Sequence, residues 1–323
     1  MLASGTGSDE KAYMRYILPF LLPLCLIACT KSDKEKTSSH VSAAAIEADK
    51  AISVNMTYDR EIDFTVKDIA VVPNNVAPWT GSLFIIDKTN TLRRGAIDRG
   101  DFDEIAKNIS GIAPLARKNT AGVMIAHNPS GDIKAFYEIN DENDYRPMPL
   151  SQPAEAIDGF CGMDQPNTNR VYAKSGQDII ALELISPQEN SYIGAAKVSE
   201  LSASGPQCNL VTSSQDLISL KAPDAALDSA ILGDNSILFT TQESQSAPRL
   251  YLQRNNQVTA IDITGGISTR PPKQIDAIYV IPNSLGAVLR NGAVIMADNE
   301  SQRLIYISLD FLMRRLNEAE TTP

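Results

Sequence analysis

Histidine, cysteine and tryptophan are scarce in this sequence, and the shortage excludes several kinds of site. The 323 residues include two histidines, four cysteines and one tryptophan. The histidines are His40 and His127, so a histidine-rich metal site is excluded, and any Ser-His-Asp triad would have to use His127. His127 begins a segment, His127–Gly131, that has the composition of a turn. No nucleophile elbow, phosphate loop or dinucleotide fingerprint occurs in the part of the chain expected to fold.

Basic residues are also in the minority. The chain has 29 Lys and Arg against 39 Asp and Glu, a net charge of −10, and no run of bases interleaved with aromatics. A phosphate backbone would repel such a chain, so we expect no nucleic-acid partner. The hydrophobic fraction of 43% is ample for a core and excludes disorder over the whole chain. The length fits one large all-β domain or two ordinary domains.

Long apolar runs are lacking except for one near the start. Residues 16–28 are apolar apart from two prolines, and Met14-Arg15 before them starts a basic n-region. This run of about 13 residues is shorter than the roughly 20 that a membrane-spanning helix needs, and its layout is that of a secretory signal. A retained transmembrane helix is the alternative. We expect translation to begin at Met14.

The end of that run, Leu26-Ile27-Ala28-Cys29, closely resembles the lipobox of bacterial lipoproteins. The resemblance implies that residues 1–28 are a signal peptide and that Cys29 becomes the lipidated N-terminus, carrying acyl chains such as palmitate. It also implies a location in the cell envelope and a membrane as partner through the lipid anchor. Thr30, in place of the aspartate that marks inner-membrane retention in enteric bacteria, favours the outer membrane.

Downstream of the anchor, the composition predicts a flexible tether over 29–47 and a folded domain over 48–323. The folded part consists of short β-type runs separated by Gly, Asn, Asp and Pro. Short helices are predicted at 101–108 and 309–316. Strands are predicted at 83–86, 122–126, 133–137, 179–184, 237–240, 258–263, 293–296 and 304–309.

An internal repeat indicates how these strands are arranged in the fold. Asp68–Asn74 is followed by Gly81–Asp87, and Ile278–Asn283 is followed in the same way by Gly292–Asp298. Each unit then turns at a polar tip, which is the layout of a β-propeller blade. We therefore predict an all-β fold, a β-propeller of six four-stranded blades, with five or seven blades and a pair of two-sheet sandwiches as alternatives. The fainter middle blades are placed at 109–145, 156–185, 198–222 and 230–263, and Ala51–Thr57 is predicted to close the ring against the C-terminal blade.

Two cysteines are left for the folded domain once Cys25 and Cys29 are assigned to the signal and the anchor. In an oxidising envelope Cys161 and Cys208 are expected to form a disulfide, worth about 4 kcal/mol on the chain-entropy model. A redox or metal role is the alternative.

The middle of the chain resembles the bacterial phytase-like six-bladed propellers. The resemblance is carried by Ile133–Ile139, Arg146–Leu150, Ala156–Cys161 and the segment around Cys208, within residues 111–224. It implies a ring of carboxylates that holds several calcium ions, which bind substrate phosphates and activate water. The sequence departs from the family pattern where acids are expected, with Gln207 in one place and Lys221 in another.

Three acids are candidate metal ligands at the rim of the predicted propeller. Asp87 and Asp298 end equivalent strands of the two clearest blades, and Glu243 follows another strand. The alternative is that these acids only cap turns. Further acids have the same two interpretations: Asp141, Glu142 and Asp144 are predicted at a hairpin tip, and Asp98, Asp101, Asp103 and Glu104 at the first turn of a short helix.

Two functions follow as hypotheses. The first is an envelope-anchored binding or scaffold module without a full catalytic site, whose partner is an envelope protein, a glycan or a small phosphorylated ligand. The alternative is a calcium-dependent phytase-like phosphoesterase. Fold alone does not decide between them.

Overall fold

The structure is a computed structural model that describes residues 51–74, 77–97, 100–115, 122–139, 144–150, 156–160, 170–176, 178–185, 192–198, 203–204, 209–210, 227–232, 235–242, 248–254, 257–266 and 268–321. The strands are β1 (Ile52–Asn55), β2 (Tyr58–Glu61), β3 (Val66–Val72), β4 (Ser82–Asp87), β5 (Thr91–Ala96), β6 (Asp103–Lys107), β7 (Gly111–Leu115), β8 (Val123–His127), β9 (Ile133–Ile139), β10 (Asp144–Pro147), β11 (Gly159–Phe160), β12 (Arg170–Ser175), β13 (Asp178–Ile185), β14 (Tyr192–Val198), β15 (Ala203–Ser204), β16 (Asn209–Leu210), β17 (Leu227–Leu232), β18 (Asn235–Gln242), β19 (Arg249–Arg254), β20 (Gln257–Thr264), β21 (Ala277–Ile281), β22 (Ala293–Asp298) and β23 (Arg303–Ser308). One helix, α1 (Leu309–Thr321), follows them.

Within these residues, six sheets follow one another along the chain. Sheet 1 contains β3–β6, sheet 2 β7–β10, sheet 3 β11–β14, sheet 4 β15 and β16, sheet 5 β17–β20, and sheet 6 β21–β23. The first strands of neighbouring sheets contact one another: β17 lies beside β21, β21 beside β3, β3 beside β7, and β7 beside β11. Successive antiparallel sheets joined through their first strands form a propeller-like all-β fold, which confirms the predicted fold class.

The two ends of each sheet differ in what they carry. Because neighbouring strands of a sheet are antiparallel, successive connections alternate between its ends. The first-to-second and third-to-fourth connections lie at one end, which we call the loop end. The second-to-third turns and the links to the next sheet lie at the other, which we call the turn end.

A strand from the start of the described chain completes sheet 6. The predicted closing segment, Ala51–Thr57, is wrong in detail: β1 pairs in parallel with β20 as a fifth strand of sheet 5, and β2 is the fourth strand of sheet 6, antiparallel to β23. The physical reason lies in side-chain polarity. Val54 and Met56 are apolar and are buried in the cluster that contains Ile261 and Ile305. The sequence of β2, Tyr-Asp-Arg-Glu, is mostly polar, so β2 can form a half-exposed edge strand.

The predicted helix at 101–108 is also wrong, since β6 covers Asp103–Lys107 and pairs with β5. Ile105 and Ala106 pack against the core of sheets 1 and 6, so pairing and burial override the local acidic pattern that suggested a helix start. Glu104 instead forms an exposed ion pair with Lys107 at 3.2 Å. The predicted C-terminal helix is confirmed and runs on to Thr321, so that β23 ends at Ser308.

The internal repeat is confirmed by matching loops. In sheet 1 the first two strands are joined by a segment with a 3-10 turn at Pro78–Thr80, and in sheet 6 by one with a 3-10 turn at Ala287–Leu289. Asn74 stabilises the first loop, because its side-chain oxygen accepts the Ala77 N–H at 3.0 Å and its amide donates to Thr80 Oγ1 at 2.7 Å.

The middle sheets follow the predicted boundaries with one extension. Sheet 2 spans 111–147 and sheet 5 spans 227–264, close to the predicted blades. Sheet 3 is longer than predicted because β14 supplies its fourth strand. Most of the predicted blade at 198–222 lies outside the described residues, as do Cys161 and Cys208.

Three apolar clusters lie between and within the sheets. One joins sheets 1, 2 and 6, a second joins sheets 5 and 6 with α1, and a third joins sheets 2 and 3. No helix among the described residues has the length and apolarity needed to span a bilayer.

Candidate functional site

Asp87, a predicted metal ligand, is held by its own turn. The residue is 3% exposed, and its Oδ1 accepts the N–H groups of Thr89 at 2.9 Å and Thr91 at 3.0 Å as well as the Thr89 hydroxyl. Oδ2 accepts from Arg93 Nε at 2.9 Å. Burial alone would raise the pKa of Asp87, but these hydrogen bonds hold the pKa below its ordinary value. The geometry is that of a turn cap paired with an arginine.

Asp298 has the same arrangement in sheet 6. Its carboxylate is fully buried and accepts the N–H groups of Lys273 and Ser301, both at 3.1 Å. Arg303, directly across the hairpin, donates from Nε at 3.2 Å and from Nη2 at 3.1 Å. The other guanidinium nitrogen of Arg303 reaches Asp59 of β2 at 2.8 Å, and Nη2 also donates to the Pro271 carbonyl at 2.7 Å.

The two aspartates therefore occupy equivalent places at the ends of second strands, and each accepts hydrogen bonds from two backbone N–H groups and an arginine, although one donor to Asp298, Lys273, lies outside its turn. The turn-capping interpretation fits both. Glu243 lies outside the described residues, as do Asp98, Asp141 and Glu142. Within the part of the chain that is described, no group of three or more His, Cys, Asp or Glu side chains is placed to hold a metal ion. A metal at Asp87, Glu243 or Asp298 stays a prediction.

Asp68 is a turn-end acid that the sequence did not single out. Its Oδ1 accepts the Ile69 N–H at 2.9 Å, and its Oδ2 accepts the N–H of Ile112 on β7 at 3.3 Å. The carboxylate thus joins the first strands of sheets 1 and 2. Burial raises the pKa of Asp68 to about 6, although the two backbone N–H groups and nearby Lys67 act to lower it.

His127, the only histidine expected in the folded domain, is buried among its neighbours and is not positioned for catalysis. The ring is 5% exposed, its Nδ1 lies 3.0 Å from the Asn128 carbonyl, and Phe160 contacts it edge-on at 5.2 Å between centroids. It lies so close above Gly111 that a Cβ there would overlap it. Burial lowers the pKa of His127. These are the contacts of a core residue.

Apolar side chains are exposed at the loop end. Among the described residues, the large hydrophobic side chains that stand exposed are Trp79 at 67%, Val288 at 64% and Ile185 at 39%. Trp79 and Val288 lie at the centres of the matching 3-10 turns, and Ile185 ends the third strand of sheet 3. All three positions belong to the loop end.

The loops of Trp79 and Val288 adjoin each other. Gly286 has a φ of +97°, which favours glycine, and a Cβ built there would lie 3.3 Å from the Cβ of Trp79. The backbone of one loop therefore packs on the other while the indole points out to solvent. Arg290, which follows the 3-10 turn of Val288, is exposed, and its side chain forms no hydrogen bond or ion pair within the described residues. The sequence repeat could have indicated Trp79 and Val288 as a pair, because aligning the two repeat units places their loops at the same position.

Comparison with known proteins gives a limited result. No family model matches the chain, and no curated protein matches it. Among solved structures, the chain is similar to one of S. cerevisiae Dbp5 bound to Nup159, Gle1, IP6 and ADP, with 11% identity, coverage of 70% of this chain and 62% of that chain, and a TM-score of 0.29. It is similar to the N-terminal domain of Nup159 with 10% identity, coverage of 70% and 62%, and a TM-score of 0.28. A structure of BBS1N in complex with ARL6DN matches with 7% identity, coverage of 78% of this chain and 95% of that chain, and a TM-score of 0.41. The chain thus spans less than two thirds of the length of the first two of these matched chains.

Replacing Arg303 by methionine should destabilise the fold strongly. The change leaves the buried Asp298 without its cation and removes the link to Asp59, so we expect a loss of about 3–5 kcal/mol in the free energy of unfolding. The matched control is Arg93→Met. Among the described residues, Arg93 is 26% exposed, pairs with Asp87 and lies over the Phe64 ring at 4.9 Å from its centroid, so we expect a loss of about 1–2 kcal/mol there. Urea unfolding measures both, and equal losses would contradict the structural role of Arg303.

Asp68 should give the fold a defined pH dependence. Its folded pKa lies above the ordinary value, so the folded state holds a proton that the unfolded state releases, and stability falls as pH rises from about 4 to about 6. Relative to Asp68→Asn, the wild type should lose at most about 3 kcal/mol of unfolding free energy across that range. Urea titrations at several pH values test this, and His127 cancels in the difference because both proteins contain it. A pH-independent difference would contradict the prediction.

Proposed function

We propose that this chain is an envelope lipoprotein, acylated at Cys29, whose propeller-like region serves as a binding or scaffold module. The observation that carries the proposal is the contrast between the two ends of the sheets. At the turn end, Asp68, Asp87 and Asp298 are bonded within the fold, whereas the exposed large apolar side chains of the described residues lie at the loop end.

The state of the acids favours binding over hydrolysis. Calcium requires six to eight oxygen ligands, so a calcium-dependent phosphoesterase needs several carboxylates free to converge. Asp87 and Asp298 each accept hydrogen bonds from two backbone N–H groups and from one arginine. A calcium ion at either residue would have to displace those donors. This supports a domain whose turn-end acids stabilise hairpins.

The loop end offers what a contact surface needs. The exposed Trp79 and Arg290 belong to residue types that are enriched among interface hot spots, and the exposed Val288 adds apolar surface beside them. Lipidation at Cys29 would hold this surface at the envelope. The partner classes that fit are an envelope protein, a glycan or a small phosphorylated ligand, besides the membrane itself.

Metabolic labelling with palmitate in a bacterial host, followed by fractionation, tests the anchor. The full-length chain should take up label and sediment with membranes, and Cys29→Ala should lose both, while Cys25→Ala, with the lipobox cysteine intact, should keep both. Label retained in Cys29→Ala would contradict the lipoprotein assignment.

Phosphate release from phytate and from an aryl phosphate, measured with calcium and then with chelator, separates the two functions. The labelled protein should release no phosphate under either condition while remaining folded by circular dichroism. Calcium-dependent turnover that is lost in Asp87→Asn and Asp298→Asn would overturn the binding-module proposal and establish the phosphoesterase alternative.

A further inference from the structure

The direction of β1 places its first residue at the loop end. β1 runs parallel to β20, and β20 begins directly after the third-to-fourth connection of sheet 5, which lies at the loop end. Ile52, at the N-terminal end of β1, therefore lies at the loop end. β1 also contacts α1, whose first residue, Leu309, donates its N–H to the Gly292 carbonyl in the loop that carries Val288.

Cys29 precedes Ile52 by 23 residues, and this spacing limits how far a lipid anchor at Cys29 can lie from β1. A chain of this length that behaves as the flexible tether predicted from its composition has a root-mean-square span of about 25 Å. A tether of that kind raises the effective concentration of the domain at its anchoring surface to roughly the millimolar range, so a weak contact suffices to orient the domain.

The exposed side chains suit the interfacial region of a bilayer. Tryptophan concentrates at the boundary between headgroups and acyl chains because its ring is largely apolar and its N–H polar. Trp79 and Val288 project from adjoining loops, so both can enter the same surface. Arg290, exposed and without a described partner, supplies a cation beside them in a chain of net charge −10.

We propose that the loop end of the folded region lies on the lipid bilayer, with Trp79 and Val288 in the interfacial layer and Arg290 on anionic headgroups. The inference rests on the proposed function, because it takes Cys29 as the anchor. It deepens that function by fixing the orientation: the loop end is the surface that contacts the membrane, and the turn end faces away from it.

The lone tryptophan makes the test direct, because intrinsic tryptophan fluorescence reports on Trp79 alone. The lipidated full-length chain is incorporated into vesicles of zwitterionic lipid, with and without an anionic lipid, in which a fraction of the acyl chains is brominated near the headgroup. We expect Trp79 emission to shift to the blue and to be quenched by bromine, more strongly with anionic lipid. Arg290→Glu should remove the dependence on anionic lipid.

Two relocated tryptophans serve as matched controls in a Trp79→Phe background. Val288→Trp at the loop end should be quenched like Trp79, and Glu300→Trp, at an exposed site on the turn end, should not. Equal quenching at positions 288 and 300 would overturn the orientation. So would a Trp79 that stays open to an aqueous quencher in vesicles and becomes shielded only when envelope proteins are added, which would assign the loop end to a protein partner.

Flotation of the same vesicles distinguishes a failure of the bilayer contact from a failure of the lipid anchor. Protein that floats with the vesicles but shows no bromine quenching overturns the bilayer contact and leaves the anchor standing. Protein that does not float and shows no quenching overturns both.

Discussion

Closure of sheet 6 by a strand from the start of the described chain is the constraint on which the rest of the structure depends. β2 pairs with β23, and Tyr58 stacks on the fully buried Tyr306 at 4.3 Å between ring centroids. Arg303 then ties β2 to the neighbouring hairpin through Asp59 and Asp298. The turn of sheet 6 also reaches sheet 1, because the Asn299 amide accepts the Val66 N–H at 2.7 Å and donates to the Val66 carbonyl at 2.9 Å. These contacts hold the first and last sheets in alignment.

That alignment gives the two ends of the sheets their separate chemistry. At the turn end, polar side chains such as Asp87, Asp298 and Asn299 satisfy backbone groups and cations of adjacent turns, which makes them parts of the scaffold. At the loop end, the first and last sheets bring Trp79 and Val288 into adjoining loops. Both repeat units thus contribute to each end, and among the described residues the exposed large hydrophobic side chains lie at the loop end.

The sequence allowed the fold class to be predicted because period-two apolar runs and the repeated Pro-Asn units mark strands and blades directly. It did not reveal the closing strand, since Asp59, Arg60 and Glu61 show no apolar alternation and form a strand only through tertiary pairing. The acidic start of β6 was misread for the opposite reason: a local pattern typical of helices lost to pairing with β5. The candidate acids were found, but their arginine partners were not, because Arg93 and Arg303 reach them across hairpins whose register only the structure gives.

Native-state hydrogen exchange of the closing strand tests this account most directly. The N–H of Thr57 donates to the Tyr306 carbonyl at 2.7 Å, and the N–H of Ile62 donates to the Gln302 carbonyl at 2.9 Å, so these amides report on the junction between β2 and sheet 6. If closure holds the sheets together, both should exchange only through global unfolding, with the same free energy as the amides of β22. Exchange of Thr57 and Ile62 at the rates of an unprotected peptide, while β22 stays protected, would contradict the account.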